Sequence, residues 1–156
     1  MKISAPEEYG VRCLLQIGSR GPDASLTLVE IARTEGLSVH YAAKLMRVLR
    51  RGGLVKSVRG QAGGYTLARP LNRITVAEAL AVLGGRFYEP EFCEQHHGSE
   101  QVCTHSIDCS IRFLWRSLQQ VVDEMLSKTT LQDLLPKPSA APIPQTPTQI
   151  TLARIN

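Results

Sequence analysis

The sequence predicts a mainly α protein with one small β-hairpin: a winged helix-turn-helix followed by a long C-terminal dimerisation helix. Three observations lead there. Apolar periodicity gives, in order, a helix, a short helix, a glycine-bearing turn, a basic helix and a hairpin. Residues 36–77 contain no acid, while Lys44, Arg47, Arg50, Arg51, Lys56, Arg59, Arg69 and Arg73 are all basic. A long apolar stripe over residues 111–126 precedes a proline-rich end.

The elements follow in chain order. Tyr9, Val11, Cys13, Leu14 and Ile17 recur at helical spacing over residues 7–17, and Gly18 reads as the stop. Gly21-Pro22-Asp23 is a loop. Thr27-Leu28-Val29-Glu30 has the spacing of a capping box, opening a short helix that stops at Gly36. Ser38 caps a second helix over residues 39–51, with Ala42, Leu45, Met46 and Leu49 inward and His40, Tyr41, Lys44, Arg47, Arg50 and Arg51 outward. Residues 54–58 alternate and are β-branched. A glycine-rich turn over residues 59–64 and a returning strand at 65–68 complete a hairpin, which Arg69-Pro70 ends. Thr75-Val76-Ala77-Glu78 predicts another capping box and a short helix to Leu83. Residues 86–108 show little periodicity, and a loop of that length in a compact domain is usually functional or disordered. Ile111, Leu114, Trp115, Leu118, Val121, Val122, Met125 and Leu126 then line one helix face, and a last short turn covers residues 131–135. Four regions result: a DNA-binding domain (1–83), a cysteine-bearing loop (84–110), a dimerisation helix region (111–135) and a disordered proline-rich tail (136–156).

Charge is distributed unevenly. Residues 1–70 hold eleven Lys/Arg against five Asp/Glu, whereas residues 71–156 hold seven against nine. A one-signed patch concentrates a polyanion and neutralises phosphates. No apolar run reaches the ~20 residues of a membrane span, and the first residues lack a signal peptide's apolar region. A cytoplasmic protein with no membrane partner is expected, its four Cys reduced.

Double-stranded DNA is the partner these features imply. Residues 35–38 fit the tight turn of a helix-turn-helix, and the following helix suits the major groove. Lys44 and Arg47 are three apart and share a face, His40 and Tyr41 lie in the first turn, and Ser38 can reach a phosphate at the helix N-terminus. The hairpin is a wing in which Arg59, Gly60, Gly64 and Tyr65 bring side chain or backbone to DNA. No oxyanion motif or oriented base accompanies any Cys, so an enzyme is not expected.

At these residues the chain resembles the Rrf2 family of bacterial transcription regulators, over about residues 1–135. Met1-Lys2-Ile3-Ser4 with Tyr9-Gly10-Val11-Arg12 looks like the family's first helix, and Leu37-Ser38-Val39-His40-Tyr41 with Leu45 like its recognition helix. Residues 53–60 (GLVKSVRG) and 63–68 (GGYTLA) look like its wing signature. The resemblance implies a homodimer on a roughly palindromic operator, the long helix crossing to the partner subunit.

Many members of that family carry an iron–sulfur cluster on three Cys just before the long helix. Cys93, Cys103 and Cys109 occupy that place, with nine and five residues between them. Soft thiolates in a loop suit such a cluster, of 2Fe-2S or 4Fe-4S type, and they also suit zinc. Some members add a His three residues after the last Cys, but here that residue is Arg112. Others use an acid in the first helix of the partner subunit, the position of Glu8, in one variant with a His four residues on, where this chain has Arg12. Glu8 is the expected fourth ligand and His105 the alternative, with His96 and His97 also able to ligate. The implied function is a regulator whose cluster senses redox state, nitric oxide or iron status. The alternative is a regulator with no metal, controlled by a small molecule, a protein partner or thiol oxidation.

Overall fold

A computed structural model describes residues 3–21, 24–60, 63–86, 88 and 109–136. Helix α1 spans Ala5–Ser19, α2 Leu28–Glu35 and α3 Val39–Arg51. Strands β1 (Val55–Val58) and β2 (Gly64–Leu67) form the hairpin. A 3-10 turn at Leu71–Arg73 leads to α4 (Val76–Leu83). Helix α5 (Ser110–Lys128) is followed by a second 3-10 turn at Leu131–Leu134.

Helix α1 begins before the apolar period does. Ser4 stands at its N-cap, where its backbone N–H donates to Glu7 Oε2 (2.6 Å), and Pro6 costs nothing in a first turn whose N–H groups lack helical partners. Gly18 is not the stop. It lies inside the helix, where a Cβ would stand 2.5 Å from Leu71, so the glycine serves close packing.

Helix α2 has the predicted capping box: Thr27 Oγ1 accepts from Glu30 N–H (3.3 Å), and Glu30 Oε2 accepts from Thr27 N–H (2.8 Å). Gly36 ends it in the left-handed region at φ 66°. At α4 only half of the expected box forms. Thr75 Oγ1 accepts from Glu78 N–H (3.1 Å), but the Glu78 carboxylate pairs with Arg69 instead. A guanidinium is the stronger donor for a carboxylate than a neutral backbone N–H.

β1 and β2 pair antiparallel, with Val55 opposite Leu67 and Val58 opposite Gly64. The segment between α1 and α2 adds a short bridge to this hairpin: Leu26 and Tyr65 exchange backbone hydrogen bonds of 2.9 and 2.7 Å. The wing is thereby fastened to the helix-turn-helix. Gly64 permits the approach, since a Cβ there would lie 2.4 Å from the Leu26 carbonyl oxygen.

The core draws on nearly every element. Leu14, Ile17, Ile31, Met46, Leu49, Leu54, Ile74 and Leu131 are fully buried together. Each such side chain contributes about 1.5–3 kcal/mol relative to an exposed one. Leu131 belongs to the 3-10 turn after α5, and its N–H donates to Ile74 O (2.9 Å) while Val76 N–H donates to Thr129 O (2.8 Å). The C-terminal end of α5 is therefore tied to the domain. Most of its apolar face is not: Ile111, Leu114, Leu118, Val121 and Met125 are exposed.

Candidate nucleic-acid interface and sensor residues

Helix α3 presents two faces of opposite character. Ala42, Leu45, Met46 and Leu49 are buried, while His40, Lys44, Arg47 and Arg51 lie exposed on the opposite side. Among the described residues no carboxylate pairs with Lys44, Arg47, Arg50, Arg51 or Arg59. These cations keep their full field for an external anion. Arg51, four residues beyond Arg47, lies on the same exposed basic face.

Ser38 is exposed, and its Oγ accepts from Tyr41 N–H (3.1 Å), which leaves the hydroxyl proton able to donate to a phosphate. Tyr41 is half-buried, its ring edge-on to Tyr9 of α1. At the wing, Arg59 and Gly60 are exposed and Gly60 has φ 105°. Gly64 and Tyr65 are half-buried, with the Tyr65 backbone committed to Leu26. The DNA-facing residues named from sequence thus divide in two. Ser38, His40, Lys44, Arg47, Arg59 and Gly60 form the open surface, whereas Tyr41, Gly64 and Tyr65 stand behind it.

Of the candidate metal ligands, Cys109 and Glu8 are among the described residues. Cys93, Cys103 and His105, with His96 and His97, fall outside the described residues. Cys109 is the N-cap of α5, and its Sγ accepts from Arg112 N–H (3.3 Å). The bond satisfies one of the N–H groups that the first turn of α5 leaves without a helical partner. Glu8 is exposed on α1 and pairs with Arg12 Nε at 2.8 Å, while the Arg12 guanidinium lies 5.8 Å from the Tyr9 ring centroid. No group of three or more His, Cys, Asp or Glu that could hold a metal ion forms among the described residues. The fourth cysteine, Cys13, is fully buried on α1. Burial, and next the negative charge of Glu35, push its thiol up to about 12. It is a core residue and a poor ligand.

A polar network that the sequence does not reveal joins the segment after α4 to α5. Tyr88 N–H donates to Gln119 Oε1 (2.7 Å), Gln119 Nε2 donates to Asp123 Oδ1 (2.6 Å), and Arg86 pairs with Asp123 Oδ2. Gln119 is only 7% exposed. A polar residue interrupting α5's apolar pattern was the available signal. Beside it runs a groove of about 1150 Å³ between the start of α1, α4 and the second half of α5. No described helix is long and apolar enough to cross a membrane.

Residues 3–137 match the family model for Rrf2, described as an iron-dependent transcriptional regulator. The chain is 34% identical over 134 residues to the HTH-type transcriptional regulator CymR of Bacillus subtilis strain 168, covering 86% of this chain and 89% of that one. The solved structure of CymR, described as the global cysteine regulator of B. subtilis, superposes with a TM-score of 0.67 over 86% of this chain and 95% of that one. IscR of T. potens superposes with a TM-score of 0.67 at 32% identity, covering 86% of this chain and 85% of that one.

Proposed function

Because the chain belongs to the Rrf2 family of DNA-binding transcription regulators, we propose that it binds a palindromic operator as a homodimer under the control of an iron–sulfur cluster. The reading rests above all on Cys109. It is the last of three closely spaced Cys, set at the first turn of the helix that would carry the dimer. The family description as iron-dependent supports it.

For the dimer, the support is the uncovered apolar stripe of α5. Val121 and Met125 are 65% and 67% exposed, and a lone soluble chain rarely leaves so long a stripe in water. A second copy packing on α5 buries it. Two α3 helices then face successive major grooves about 34 Å apart, which makes the operator symmetric. His40, Lys44, Arg47 and Arg51 read or neutralise the groove, and Arg59 of the wing meets the flanking backbone.

For control, Cys93, Cys103 and Cys109 hold the cluster, with Glu8 of the partner subunit as fourth ligand and His105 as alternative. Bound there, a cluster supplies chemistry toward oxidants, nitric oxide and iron supply. Glu8 holds Arg12, Arg12 lies on Tyr9, and Tyr9 meets Tyr41 in the first turn of α3. Were Glu8 to ligate a metal, Arg12 would lose its carboxylate partner, and the contacts behind the first turn of α3 would change with it. The shift in DNA affinity is limited to the differential energy of those contacts.

The likeness to CymR, described as a cysteine regulator, favours a second reading: the same dimer, without metal, answering a small molecule or protein partner. An absorption spectrum with iron and sulfide analysis, on protein purified without oxygen, separates the two. Brown protein whose operator affinity changes when the cluster is removed supports the first. Colourless protein after reconstitution, or affinity indifferent to the cluster, supports the second.

A further inference from the structure

We propose that Val39, in the first turn of α3, is a specificity-determining residue that reads the C5-methyl group of a thymine in the operator. The inference rests on α3 as the DNA-reading helix, as proposed above. Val39 follows the Ser38 cap directly and is 47% exposed, between the exposed Ser38 and His40. Leu37 and Tyr41, two residues to either side, pack against the core instead. Neither the core nor the helix explains a valine here. Nearly half of it stands in water, and a β-branched side chain is a poorer helix former than alanine.

Its position on the helix does. Val39, Ala43 and Arg47 follow at intervals of four and lie along one ridge of α3. The exposed His40, Lys44, Arg50 and Arg51 flank that ridge. An apolar patch therefore stands at the N-terminal end of an otherwise cationic surface. Val39 carries no donor or acceptor on its side chain, so it gains nothing from a phosphate or from the polar edge of a base. The major groove offers one apolar group for it, the thymine methyl. The first residues of a recognition helix are those that reach base edges. A helical valine is held near a single χ1 rotamer, so its methyls meet that group with little further loss of side-chain freedom. Arg47 lies eight residues on, about 12 Å along the axis, against ~3.4 Å per base pair. The two side chains therefore read different base pairs.

The test uses the full chain on duplexes that it has itself enriched from a random-sequence library. Each thymine is replaced in turn by deoxyuridine, which lacks only the methyl, and binding is read by fluorescence anisotropy. Wild type should lose about fourfold in affinity at one thymine of each half-site, the effect of taking one methyl out of apolar contact. Val39→Ala should bind the thymine duplex as weakly as wild type binds that deoxyuridine duplex, and should be indifferent to deoxyuridine there. Its response at every other thymine should match wild type. Alanine is the better helix former, so the variant keeps the fold, which an undiminished Tm verifies. A wild type that tolerates deoxyuridine at every position, or a V39A that keeps the full penalty, overturns the proposal. Arg47→Ala on the same duplexes separates this from the reading beneath. Base preference lost in R47A but not in V39A removes Val39 from the reading surface and leaves α3 there. Base preference unchanged in both variants takes α3 off the groove, and the proposal falls with it.

Discussion

Tyr9 of α1 and Tyr41 of α3 meet edge to face, their ring centroids 6.3 Å apart and their planes at 87°. Aromatic pairs in this geometry are worth about 0.5–1.5 kcal/mol beyond the area they bury. The contact ties the first turn of α3, the helix with the exposed basic face, to the helix that carries Glu8 and Arg12. Tyr9→Leu and Tyr41→Leu, combined in a double-mutant cycle by denaturant unfolding, should give a coupling energy in that range. Strict additivity would show that the rings are neighbours without interaction.

Arg47 is exposed at the middle of the unpaired basic face of α3. Arg47→Ala should weaken operator binding by about 1–3 kcal/mol if it contacts a base, and binding to scrambled DNA by less. Fluorescence anisotropy on both DNAs measures this. Equal losses on the two would place Arg47 on phosphate.

Arg59, at the exposed edge of the wing, lies away from the α3 surface in sequence and has no carboxylate partner among the described residues. Arg59→Ala should lower the slope of log K against log salt by about one, as expected for one lost phosphate contact. An unchanged slope would mean that the wing does not touch the backbone.

Glu8 and Arg12 form an exposed pair one helical turn apart, of a kind that contributes little to stability. Glu8→Ala should therefore change the unfolding free energy by no more than about 0.5 kcal/mol while diminishing cluster absorbance and iron content. Full absorbance in this variant would move the fourth ligand to His105.

Glu30 is held below the usual carboxylate range by the Thr27 backbone N–H and then by its hydroxyl. A depressed acid stabilises the fold above its unfolded pKa, and that contribution is lost as pH falls through the depressed value. Acid titration should accordingly show Glu30→Gln losing less stability than wild type as pH falls below about 4.5. Parallel curves would mean that the capping box forms equally well in the unfolded chain.

The sequence by itself determined the local structure and the chemistry of the surface. Ser38 and Arg51 could be read as the limits of the basic helix because a cap side chain and a glycine pair act on their immediate neighbours. The division of α3 into core and basic faces was likewise legible, since 3.6-residue periodicity follows from backbone geometry alone.

Tertiary structure decided what depends on residues distant in sequence. Gly18 reads as a stop until Leu71 is seen packed against it, and Glu78 reads as a capping residue until Arg69 takes its carboxylate. That Tyr41 also packs edge-on against Tyr9 is not visible in the sequence. The Gln119 network joins positions 31 residues apart. Contact between elements is set by how helices cross, and the period of a single helix carries no information about its neighbour.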